Sequence, residues 1–281
     1  MIHQKIKKTI RPVYYSIHNF LSDLIEIMRR KWKKISRIFF NFPPVDTYSF
    51  VILCVKNTAY VALAIRNINS LHYYNPNHKF IIHCDKICYD AFEKQKHRLD
   101  YGNRVEAINL FSDDNKPWQL FKIETLITAS KNDQILIDAD EIWHADPKID
   151  RSKIIFQVLA YKIKSNAEES SLVSKLFGQP DWVEFDHFVT GFLSLPSKFM
   201  SEKLADDCRA YTKKVMENGL DFIAEEKRND LRRIAEEICV NLAVQSNCAR
   251  DDITALKSAD PKGDKNVLQS LYYGCANKII E

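Results

Sequence analysis

The chain has 281 residues, 46% hydrophobic and 28% charged, which suits one large domain or two modest ones and excludes wholesale disorder. Six glycines and nine prolines disfavour collagen-like and linker-rich designs, and no run of 18 apolar residues predicts a transmembrane helix. Seven cysteines, at positions 54, 84, 88, 208, 239, 248 and 275, include no C-x-x-C, so we expect free thiols in a reducing compartment rather than a zinc cluster.

The net charge of +4 is unevenly placed. Residues 1–40 hold ten Lys/Arg against Asp23 and Glu26, a local +8, and the rest of the chain therefore carries −4. Within that arm Val13, Ile17, Phe20, Leu21, Leu24, Met28, Trp32, Ile35 and Phe39 recur at steps of three and four, the stripe of an amphipathic helix. Pro43-Pro44 ends it. A secretory signal fits poorly, since Asp23 and Glu26 interrupt the apolar region and no small-residue cleavage site follows. Residues 1–44 are thus a basic helical arm, with two readings: an interfacial helix on an anionic membrane surface, or a helix packed on the main domain. The mildly acidic body, 45–281, predicts no nucleic-acid partner.

Beyond the prolines the period changes. Residues 49–55 form a short apolar, β-rich run, and 58–72 carry Tyr60, Ala64, Ile68 and Leu71 at helical spacing with Thr58 available as a cap. Asn75-Pro76-Asn77 marks a turn before a second strand over 79–84. A helix over 88–99, a strand over 105–110, a helix over 117–130 and a buried strand over 134–138 follow. Residues 183–195 read as a strand pair or a strand kinked at Gly191, with helices over 196–218 and 230–246. Strand–helix alternation predicts an α/β fold, a mostly parallel twisted sheet with helices on both faces, in which ligands bind beyond the carboxyl ends of the strands.

The segment that carries chemistry is 135–147, ILIDADEIWHADP. An apolar strand runs directly into Asp138-Ala139-Asp140, and carboxylates at such a position need a positive partner. Residues two apart on a strand share a side, so Asp138 and Asp140 can face one cleft as a hard-oxygen site for Mg²⁺ or Mn²⁺.

This block, with Asp146-Pro147 after it, resembles the DxD region of GT-A type nucleotide-sugar glycosyltransferases. The resemblance spans roughly residues 49–246 and implies a GT-A-like fold and a metal-dependent hexosyl transfer from a nucleotide-sugar, UDP-sugar by default, to a glycan or lipid-linked acceptor. It implies that Lys56, Asn57 and Tyr60 meet the nucleotide, that Asp85 touches the base, and that Lys122 and Lys278 lie near the phosphates. Asp138 and Asp140 then hold the metal, with Ala139 between them. Thr190-Gly191-Phe192-Leu193 is similar to the strand beside the acceptor, and 233–242, with Glu236, Glu237 and Asn241, to an acidic helix near the reacting sugar. Glu237 or its neighbour Glu236 would be the catalytic carboxylate; only one of two adjacent helix residues should face the cleft. The tail departs from the family's H-x-x-G-x-x-K pattern: Leu271 stands where histidine would, and Lys278 falls one position late.

Two other readings stay open. In a haloacid-dehalogenase-like phosphohydrolase the first Asp of D-x-D is a nucleophile, but that motif belongs near the first strand, and three strands precede this one. A non-enzymatic membrane-surface scaffold is suggested by the arm alone. The location expected from these features is cytoplasmic, peripheral at the inner face of a membrane.

Overall fold

In a computed structural model of the chain, residues 46–111, 116–143, 145–158, 188–217, 234–257 and 268–270 are described, with the isolated positions 28, 174, 228 and 232. The chain divides into two units, Met1–Val45 and Asp46–Glu281. The helical arm expected over 1–44, apart from Met28, lies outside the described residues, as do 183–187 and Lys278.

The second unit opens with β1 (Ser49–Cys54), α1 (Ala59–His72), β2 (Lys79–Asp85), α2 (Lys86–Gln95), β3 (Val105–Phe111), α3 (Trp118–Lys131) and β4 (Ile135–Ile137). It continues through β5 (Glu141–Trp143), β6 (Ile154–Val158), β7 (Val189–Ser194), α4 (Glu202–Glu217), α5 (Ala235–Asn247), β8 (Ile253–Lys257) and β9 (Leu268–Ser270). Seven strands form one sheet in the order β3-β2-β1-β4-β7-β6-β8, and β5 pairs with β9 apart from it. β3, β2, β1 and β4 run parallel, as the strand–helix alternation requires. β7 then enters antiparallel between β4 and β6, and β8 joins parallel to β6. The sheet is therefore mixed on that side.

Strand pleating divides the core. Ile135 and Ile137 of β4 join Phe50 and Ile52, Phe80 and Ile82, and Phe192 against Val61, Ala64, Ile65, Ile68 and Leu71 of α1 and Phe92 of α2. Leu136, between them in sequence, points to the other layer, where Phe156 and Leu193 meet Ile123, Leu126 and Ile127 of α3, Leu204 and Ala205 of α4, and Val240 and Val244 of α5. Each fully buried Leu, Ile or Phe here contributes about 1.5–3 kcal/mol.

Two helix starts differ from the sequence expectation. Thr58 makes no side-chain cap to α1; Asn57 Oδ1 takes the Ala59 N–H instead, at 2.9 Å, after Lys56 turns the chain through a positive φ of 66°. α2 starts at Lys86 rather than 88, because Asp85 caps it by accepting from Cys88 N at 2.9 Å.

Among the buried histidines, burial shifts the protonation of two, His72 and His83. His72 Nε2 bonds His78 O at 2.9 Å and His83 Nδ1 lies 3.3 Å from Thr125 Oγ1, and burial lowers both from the usual 6.5 to about 4. Between those values the unfolded chain takes up protons that the folded chain refuses, so this contribution is complete above pH 6.5 and is lost as pH falls toward 4. It amounts to roughly 3 kcal/mol per histidine. We predict that the thermal midpoint drops between pH 7 and 4.5, and that His83→Gln makes the drop shallower; an identical pH profile in the variant contradicts this.

Candidate functional site

The strand order places a topological switch between β1 and β4. After β1 the chain turns away to α1 and β2, and after β3 it returns across the sheet to lay β4 on the opposite side of β1. Loops leaving two such neighbours diverge and open a crevice at their carboxyl ends. Lys56–Thr58 and Asp138–Asp140 are those two loops.

On the β1 side, Asp85 is buried, and both its oxygens bind backbone: Oδ2 accepts from Lys56 N at 2.6 Å and Oδ1 from Cys88 N at 2.9 Å. This carboxylate joins two loops and caps a helix. Lys56 and Asn57 are exposed, with the Lys56 ammonium 5.3 Å from the centre of the Phe121 ring, and Tyr60 is half-buried on the first turn of α1.

On the β4 side the strand ends at Ile137, and Asp138 N still donates to Gly191 O of β7 at 2.8 Å. Ala139 and Asp140 form a turn, so the two aspartates are related by that turn rather than by strand alternation. The turn is held from α1. Asn67, fully buried, donates from Nδ2 to Asp138 O at 2.7 Å and accepts at Oδ1 from Trp143 Nε1 at 2.9 Å. Ser70 Oγ accepts from Trp143 N at 3.1 Å and donates to Asn67 O at 2.7 Å. Asp146, by contrast, does not join the site: its Oδ1 is 2.7 Å from His78 Nε2 and its Oδ2 accepts from Asn75 Nδ2. Tyr48 N donates to His78 Nδ1, so the ring proton sits on Nε2 and is donated to Asp146.

Lys122 of α3 completes the centre. Its buried Nζ stands 2.9 Å from Asp138 Oδ1, 3.1 Å from Oδ2 and 3.4 Å from Glu236 Oε1. Burial opposes the ammonium, but Asp138, Glu236 and Glu237 together outweigh it and raise its pKa, so Lys122 stays charged. Glu236 and Glu237 occupy the first turn of α5. Glu236 is 3% exposed, and burial raises its acid to about 8 despite the lowering effect of Lys122. Asp140 is raised to about 6, by burial first and then by the charge of Asp138. Glu237 is half-buried and its Oε2 accepts from Thr190 N at 3.1 Å.

Asn241, one turn further along α5, directs its carboxamide to backbone: Oδ1 accepts from Phe188 N at 3.0 Å, and Nδ2 donates to Phe188 O and Glu237 O. It clamps the helix to the start of β7. Gly191 packs closely against two buried side-chain ends: a Cβ there would stand 2.6 Å from Glu141 Oε1 and in collision with Gln157 Oε1, so a larger residue would make both shift. Glu141 and Gln157 are buried site neighbours that sequence reasoning missed. The one available signal was an acid placed directly after Asp140 and before Ile142-Trp143.

The described residues thus bring together Asp138, Asp140, Lys122, Glu236, Glu237 and Gly191, with Lys56, Asn57, Tyr60 and Asp85 on the neighbouring loop. Among them no three His, Cys, Asp or Glu side chains form a ready metal cluster. Two carboxylates, one of them made more basic by burial and then by its neighbour's charge, fit a hard cation such as Mg²⁺ or Mn²⁺ that keeps waters and takes substrate phosphates; they do not supply a zinc shell.

No family model and no curated protein matches the sequence. Among solved structures the chain is similar to the bifunctional glycosyltransferase WbbM in apo form, at 13% identity and TM-score 0.45 over 76% of this chain and 40% of that one. It is also similar to the galactosyltransferase LgtC in complex with donor and acceptor sugar analogues, at 12% identity and TM-score 0.39 over 74% of this chain and 72% of that one. A third is the mannosyltransferase Ktr4p from S. cerevisiae in complex with GDP, at 10% identity and TM-score 0.43 over 83% and 78%. The chain spans well under half the length of WbbM.

Proposed function

We propose that this chain is a glycosyltransferase that moves a hexose from a nucleotide-diphosphate donor, a UDP-sugar by default, to a glycan or lipid-linked acceptor. The observation that carries the reading is the acidic turn Asp138-Ala139-Asp140 at the switch-point crevice, with a buried lysine against it and two glutamates behind.

Glycosyl transfer cleaves the bond from an anomeric carbon to a diphosphate, so negative charge grows on the leaving group and positive charge on the sugar. A divalent cation held by Asp138 and Asp140 would supply Lewis-acid charge for that diphosphate. Lys122 provides a fixed positive charge at the same place, pre-oriented because its neighbours hold it. Of the two glutamates, Glu236 is buried beside Lys122, and we assign to the more exposed Glu237 the acceptor proton or the stabilisation of the sugar cation. Lys56, Asn57 and Tyr60 line the nucleotide side, with Asp85 holding their loop rather than reading the base. Gly191 and Asn241 set the strand and helix on the acceptor side. Lys278 is assigned to the phosphates as a point charge.

The test is calorimetry of UDP-, GDP- and CMP-sugars with and without Mn²⁺. The expected result is UDP-sugar binding that needs Mn²⁺ and disappears in Asp138→Asn/Asp140→Asn. Absence of any nucleotide binding, or unchanged binding in that variant, contradicts the proposal.

The +8 arm with its apolar stripe supports a second element of the reading, attachment to the anionic inner face of a membrane. The full chain should sediment with phosphatidylserine vesicles, and glutamate at Arg29, Arg30, Lys33 and Lys34 should abolish this. Equal sedimentation of both proteins contradicts it.

A further inference from the structure

Lys122 is shared unequally. Its ammonium makes two contacts to Asp138, at 2.9 and 3.1 Å, within the ordinary N–H···O range, while Glu236 Oε1 waits at 3.4 Å, beyond it. The other Glu236 oxygen, Oε2, is buried and has no hydrogen-bond partner. Buried carboxylate oxygens without a partner are rare in folded proteins and ask for an explanation. The lysine thus favours the more exposed acid, 36% accessible, over one that is 3% accessible and has more need of it.

We infer that Lys122 is an internal counter-ion: it stands in for the divalent cation at Asp138 and passes to Glu236 when that cation binds. This rests on the reading of Asp138 and Asp140 as the cation's ligands. Lys122 engages both Asp138 oxygens, so a divalent ion arriving there competes with the ammonium and repels it. A lysine head is a compact point charge on a flexible four-carbon stem with three donors, so a small pivot moves it from one acid to the other. Glu236 then receives a close partner, and Asp138 is released to the metal. Glu236 is in this account a positioning residue, acting on the metal through Lys122.

The experiment is a Mn²⁺ titration of the full chain without nucleotide, followed by electron paramagnetic resonance, on the unaltered protein, Glu236→Gln, Lys122→Met, the double variant and Asp138→Asn. Passage to Glu236 predicts that Glu236→Gln weakens Mn²⁺ binding about tenfold, since the displaced lysine loses its second partner. It also predicts that the same change has no effect once Lys122 is Met. Equal weakening in both backgrounds means that Glu236 acts only as a nearby charge, and overturns the inference while the metal site stands. Binding that is absent throughout, or indifferent to Asp138→Asn, overturns the metal site and the inference with it. Should Lys122→Met not fold, a crystal structure of the unaltered protein with Mn²⁺ decides: Nζ on Glu236 supports the passage, and Nζ still on Asp138 overturns it.

Discussion

One buried ammonium organises this molecule's working end. An isolated lysine inside a protein would lose its charge, yet Lys122 retains it because acids from two other elements converge on it: Asp138 from the end of β4 and Glu236 from the first turn of α5. The interaction is costly on both sides. The lysine needs the carboxylates, and Asp138 and Glu236 would face each other uncompensated without it. Such a cluster binds α3, β4 and α5 to one geometry, since moving any of the three leaves a buried charge without its partner.

Around that centre, polar side chains act as staples between backbone segments. Asn67 fixes the acidic turn to α1, Asp85 fixes the loop after β1 to the cap of α2, and Asn241 fixes α5 to the entry of β7. None of these leaves the turn to find its shape when a ligand arrives. The proposed transfer would benefit from that, because dipoles and charges already in place need not reorganise during reaction. Lys56 takes a positive φ, and Gly191 packs against the side-chain ends of Glu141 and Gln157.

The parallel half of the sheet was legible because its strands are short runs rich in apolar residues, the first three of them each followed by a helix. The acidic turn stood out for the same reason: Ile135–Ile137 is too apolar for an accidental neighbour of two aspartates. The other half was not. β5, β6 and β8 are short, and no spacing in Glu141–Trp143, Ile154–Val158 or Ile253–Lys257 announces a strand or its direction. The antiparallel insertion of β7 depends on long-range pairing, which local pattern does not encode. Side-chain roles divided in the same way. Lys122 was singled out, but its double allegiance depends on residues 16 and 114 positions away. Asp85 and Asn241 read equally well as ligand contacts or as staples, and only their hydrogen-bond partners separate the two. Asp146, which the resemblance to the DxD region included, is held by His78 and Asn75.

The central claim is that Lys122 and Asp138 form one energetic unit in the protein before any ligand binds. A double-mutant cycle on urea unfolding measures this directly, using Lys122→Met, Asp138→Asn and their combination in metal-free buffer. The account predicts that Lys122→Met alone is strongly destabilising and that the pair is coupled by about 2–3 kcal/mol. Additivity of the two substitutions, within about 0.5 kcal/mol, would contradict it.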